Sequence, residues 1–74
     1  MPATKDFTNE SRAAAARAGL HIYIDNQQSE TGGLETAAID FLTDLRHLCD
    51  ESGMDFHAIC DTSYHHYCAE IAPL

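Results

Sequence analysis

The sequence predicts an all-α fold: a small three-helix domain with an antiparallel C-terminal helical hairpin, assembled as a homodimer or higher oligomer. Three observations carry this. Apolar residues recur at three- and four-residue steps over 34–52 and again over 55–71, the period of a helix with one buried stripe. Only a short link containing Gly53 separates the two stretches, which forces them to fold back on each other. The chain has 74 residues, and at that size folding hides only about 60% of the unfolded surface, so small domains often supplement their core from a second copy.

Residues 1–8 read as a flexible N-terminal arm, and 9–74 as a single helical domain. Thr8 or Asn9 caps the first helix, and Glu10 then lies in its first turn, where a negative charge suits the helix dipole. The alanine- and arginine-rich stretch 10–18 is strongly helix-forming. Gly19 leaves two readings. It could close the helix, with Leu20, Ile22 and Ile24 alternating as a short strand. A lone strand has nothing to pair with, however, and an interior glycine costs a helix only about 1 kcal/mol. One helix over about 9–25 is the expectation. Residues 26–33 are polar, end in Gly-Gly and read as a loop.

The second helix, 34–52, follows from Leu34, Ala38, Phe41, Leu45 and Leu48, with Ala37, Ile39, Leu42 and Cys49 widening the stripe. Gly53 ends it, with Ser52 as C-cap. Asp55 caps the third helix, 55–71, whose apolar face is Phe56, Ile59, Cys60, Ser63, Tyr67 and Ile71, and Pro73 stops it. The first helix is left to cover the remaining apolar stripe. Phe41, Ile39, Tyr64 and Tyr67 cannot all point inward in so small a hairpin, so some are expected to meet a second copy.

Composition narrows the function classes. Hydrophobic residues make up 45% of the chain, which suits a globular domain. The net charge is −8 and unevenly spread. Residues 1–24 hold Lys5, Arg12 and Arg17 against Asp6 and Glu10, a balance of +1, whereas 25–74 hold ten acids against Arg46 alone, a balance of −9. Such a surface repels phosphate backbones and anionic lipid, so direct nucleic-acid and membrane binding are not expected. No apolar run approaches the roughly 18–20 residues of a membrane span. The N-terminus lacks the basic and apolar regions of a signal peptide, so a cytoplasmic location is expected. Cys49, Cys60 and Cys68 are odd in number and irregularly spaced, which reads as free thiols in a reducing compartment.

Asp40, Asp44, His47 and Glu51 fall at i, i+4, i+7 and i+11 on the second helix. They line one side. Carboxylates and an imidazole so placed could hold a divalent cation or act as an acid/base pair, although the outer face of an amphipathic helix is ordinarily charged and solvated. Zinc prefers Cys and His ligands, which makes His47, His57, Cys60 and His66 weak metal candidates. The third helix spreads its ligands over two faces and has no Cys-x-x-Cys pair, so no metal or cofactor is expected. Cys60 or Cys68 with His57 or His65 could pair as a nucleophilic dyad, but nothing supplies an oxyanion hole or a cleft, and no catalytic residue is assigned. Tyr64, His65, His66 and Tyr67 form an aromatic and imidazole patch suited to a protein contact.

Residues 38–70 carry further matches: Asp40, Asp44 and His47 in the second helix, Gly53, Asp55 and Phe56 in the turn, and His66, Tyr67 and Glu70 near the end. In these positions the chain resembles a group of small uncharacterised helical proteins from bacterial prophages, plasmids and other mobile elements, with an Asp-Leu-x-x-Asp-Leu-x-His, Gly-x-Asp-Phe and His-Tyr-x-x-Glu pattern. The resemblance covers about half the chain and brings no assigned activity. It implies a mobile-element setting, and hence a small regulator or an inhibitor of a host defence protein. With the charge, this points to an acidic interaction module. Its partner-binding residues would be Asp40, Asp44, His47, Glu51, Tyr64 and His65, and its partner a protein with a basic, nucleic-acid-binding surface. One alternative is a metal-binding or histidine-based small enzyme using Asp40, Asp44, His47 and His66. A second is an oligomeric sponge for nucleotide signals, held by Lys5, Arg12, Arg17 and Arg46.

Overall fold

A computed structural model describes residues 8–27 and 32–72. These form three helices, α1 (Asn9–Gln27), α2 (Leu34–Ser52) and α3 (Phe56–Ile71), and there is no strand among the described residues. Of the arm expected over 1–8, residues 1–7 lie outside the described residues, as does Pro73, the expected helix stop, while Thr8 belongs to the α1 cap.

Thr8 is the residue that caps α1. Its hydroxyl oxygen accepts from the backbone N–H of Ser11 at 3.0 Å, and its carbonyl accepts from Arg12 N–H at 2.9 Å. The helix continues through Gly19 and Leu20–Asp25, so the strand reading of this stretch gives way to helix. A Cβ added at Gly19 would meet nothing within 4 Å, so the glycine interrupts neither backbone nor packing. α1 also runs to Gln27, two residues past the expected end, which shortens the loop expected over 26–33. The reason is tertiary: Tyr23 and Gln27 both donate hydrogen bonds to Asp44 of α2, which holds the last turn helical.

Glycines bracket α2. Gly33 precedes it at φ 145° and Gly53 follows it at φ 75° and ψ 22°, both conformations that side-chain-bearing residues rarely adopt. With Gly53 in the left-handed region, its N–H reaches the Cys49 carbonyl, and Met54 N–H reaches the same oxygen at 2.9 Å. Two helix-end donors thus converge on an otherwise orphaned acceptor. Asp55 is the cap of α3 rather than its first residue. Its carboxylate accepts from Ala58 N–H at 3.1 Å while its own backbone is extended. α3 stops at Ile71, and Ala72 is extended at φ −69° and ψ 138°, the conformation preferred by a residue that precedes proline.

α1 packs on the first half of α2. Arg17 lies beside Leu34 and Glu35, Leu20 beside Ala38 and Phe41, and Gln27 beside Asp44. Neighbours advance in the same order along both helices, so these two stretches run in the same sense. The rings of Tyr23 and Phe41 meet edge to face at 5.2 Å. The start of α1 meets the end of α3, where Asn9 Nδ2 donates to the Glu70 carbonyl at 3.2 Å and Arg12 Nε lies 3.5 Å from the Glu70 carboxylate. α3 meets the second half of α2, with the Arg46 guanidinium 4.3 Å above the Phe56 ring.

Each half of α2 is therefore covered from one side only, so α1, expected to cover the stripe that the hairpin leaves, leaves part of it exposed. Among the described residues, only Ala37 and Cys49 are buried. Leu20, Tyr23, Ile24, Ala38, Leu45, Phe56 and Cys68 are half-buried. Phe41, Ile39, Tyr64 and Tyr67, which could not all turn inward, are all exposed. No helix of the described residues is long and apolar enough to cross a membrane.

Candidate protein-interaction face

The spacing of Asp40, Asp44, His47 and Glu51 puts all four on one side of α2, and all four are exposed. They differ in what they touch. Asp44 Oδ2 accepts from the Tyr23 hydroxyl and from Gln27 Nε2, the latter at 3.2 Å. It is a fastening between α1 and α2, not an unengaged carboxylate. The phenol of Tyr23 is pushed up from 10.0 to about 12. The hydrogen bond to Asp44 is the main cause, followed by loss of solvent and then by the negative charges of Asp44 and Asp40, all of which oppose a phenolate.

Tyr23, Gln27, Asp40, Thr43 and Asp44 line a shallow polar recess. Thr43 turns its hydroxyl back onto the Ile39 carbonyl at 2.9 Å, a local bond that removes it from the recess chemistry. What remains is carboxylate-rich and acceptor-rich, so it suits cationic or N–H donor groups. His47 and Glu51 continue this acidic side for two further turns towards Gly53.

Tyr64 and His65, the other expected contact residues, lie on a different surface. Tyr64 stacks on Tyr67 with centroids 6.3 Å apart and planes 28° off parallel, and both line a groove with Leu42 and Leu45. By helical spacing, Leu42 and Leu45 lie across α2 from the Asp40–Glu51 side. His65 is exposed, one residue further round α3. The six expected partner-binding residues thus form two surfaces, one acidic and one aromatic.

Among the described residues, no three His, Cys, Asp or Glu side chains gather as a metal-ligand group. His47, His57, Cys60 and His66 are accordingly not assembled into such a set. The thiols are free, with Cys49 buried, Cys60 exposed and Cys68 half-buried. Of the cations considered for phosphate, Lys5 lies outside the described residues, Arg12 faces Glu70, Arg46 covers Phe56, and Arg17 lies beside Leu34 and Glu35.

Sequence reasoning missed Tyr23 and Gln27. The available signal was their i, i+4 spacing at the end of α1, which sets two hydrogen-bond donors on one face. Comparison with family models, with curated proteins and with solved structures yields no match for this chain.

Proposed function

We propose that the chain is a small acidic protein-interaction module. In this reading it is a regulator or inhibitor from a mobile element that occupies the basic surface of a host protein, cytoplasmic in location. α2 and α3 form an antiparallel hairpin, and the module works as a homodimer or higher oligomer. The observation that supports this best is the exposed run of Asp40, His47 and Glu51 along one side of α2 in a chain of net charge −8. Opposite charge steers association and makes it salt-sensitive. Asp44 contributes to the field of this side, but its hydrogen bonds are committed to α1.

The test is affinity capture from bacterial lysate with the wild type and with the double variant Asp40→Asn/Glu51→Gln. A basic protein is expected to bind at low ionic strength, to elute as salt approaches about 1 M, and to be lost with the double variant. A partner retained unchanged at high salt, or by the double variant, would refute the electrostatic reading. Asp44 stays unaltered in this experiment because its loss would also loosen α1.

A further inference from the structure

We infer that the last turn of α1 is an autoinhibitory contact: Tyr23 and Gln27 close Asp44, inside the acidic side of α2, to the basic partner, and the turn must let go before that carboxylate can take an arginine. The inference rests on the acidic side being the partner surface, and it concerns how access to that surface is regulated.

Asp44 lies four residues after Asp40 and three before His47, so it stands inside the run that would meet a basic surface. Its Oδ2 accepts from the Tyr23 hydroxyl and from Gln27 Nε2 at 3.2 Å. An ionised carboxylate has about four acceptor sites over its two oxygens, so two donors fill Oδ2. A guanidinium engages a carboxylate through both oxygens, in two parallel hydrogen bonds. That fork cannot form on Asp44 while Tyr23 and Gln27 are in place. Asp40 lines the same recess, so the two side chains also take up space beside the next carboxylate of the run.

The turn that supplies these donors is weakly held. No residue of α1 is buried; Gln27 is exposed and Tyr23 half-buried. The last turn has no basic residue, and Asp25 lies near its end. The partial negative charge at a helix C-terminus disfavours an acid there. The other end of α1 has its own attachment, through Asn9 and Arg12 to Glu70, so the last turn can fray while α1 stays on α3. Both donors to Asp44 are uncharged. A guanidinium offers the same carboxylate a full positive charge and two N–H groups in their place. Arginine therefore has the chemistry to displace them.

Titration calorimetry with hexa-arginine as the probe, at neutral pH and low ionic strength, tests this on wild type and Tyr23→Phe. The variant keeps the ring against Phe41 and loses one of the two bonds to Oδ2. It is expected to bind the peptide about tenfold tighter than wild type, the worth of one hydrogen bond to a charged group that no longer has to be broken, although its fold is less stable. A purely structural contact would give the lower stability without the gain. Adding Asp44→Asn to Tyr23→Phe should remove the gain. The unaltered protein gives a second readout: backbone amide exchange at residues 23–27 should quicken when the peptide binds, while that at 9–12 stays unchanged. Equal or weaker binding by Tyr23→Phe, a gain that survives Asp44→Asn, or exchange at 23–27 that slows or stays constant would each overturn the inference. The acidic reading fails separately, if Asp40→Asn/Glu51→Gln binds the peptide as tightly as wild type. No binding by either wild type or Tyr23→Phe would overturn both.

Discussion

Asp44 shows how one side chain can be legible in kind and illegible in role. Its place on an acidic helical side follows from spacing within α2. Its hydrogen bonds from Tyr23 and Gln27 come from another helix, and no local pattern announces a partner 21 residues away. Tyr23 also carries a pH dependence. Its folded pKa of about 12 lies above the ordinary 10.0, so the fold favours the protonated phenol. That contribution is complete below pH 10.0, declines between there and about 12, and is lost above. A Tyr23→Phe variant keeps the ring contact with Phe41 and drops the hydrogen bond. Its unfolding midpoint should fall below that of wild type at neutral pH, and the gap should close in strong alkali. Ultraviolet difference titration between the two proteins should show a phenol ionising near 12. Ionisation at the ordinary value would contradict the bond to Asp44.

The helices themselves were largely readable as elements. The periodic leucines, the glycine after Ser52 and the aspartate before Phe56 mark the end of α2 and the start of α3, because caps and breakers act over a few residues. The end of α1 was harder, since its last turn is held by α2 and not by its own sequence. Gly19 was ambiguous for a related reason. Propensity prices a glycine, but only the surrounding space reveals that nothing turns the chain there. Two substitutions test the link between α2 and α3. Asp55→Ala removes the side-chain acceptor for Ala58 N–H and should cost about 1 kcal/mol in urea unfolding. Gly53→Ala forces a Cβ into the left-handed region at φ 75° and should cost about 1–2 kcal/mol. Unchanged midpoints would mean that this link does not set the packing of α3 on α2.

For the whole molecule, length and charge were the most informative quantities. Seventy-four residues implied a thin core, and the structure bears this out, with only Ala37 and Cys49 buried among the described residues. How the stripe of α2 stays open was not readable, because it depends on α1 running beside α2 in the same sense and on α3 meeting the other half. The acidic side and the aromatic groove also emerge as separate surfaces only once the helices are placed. One carries the charge that suits a basic partner, and the other carries exposed apolar area. If a second copy binds the folded chain, association stabilises the fold, and stability must depend on protein concentration. The most direct measurement is the thermal unfolding midpoint followed by circular dichroism across a dilution series. A hundredfold rise in concentration should raise it by about 10 °C for a dimer of this size. A midpoint that stays constant across the series would contradict the account.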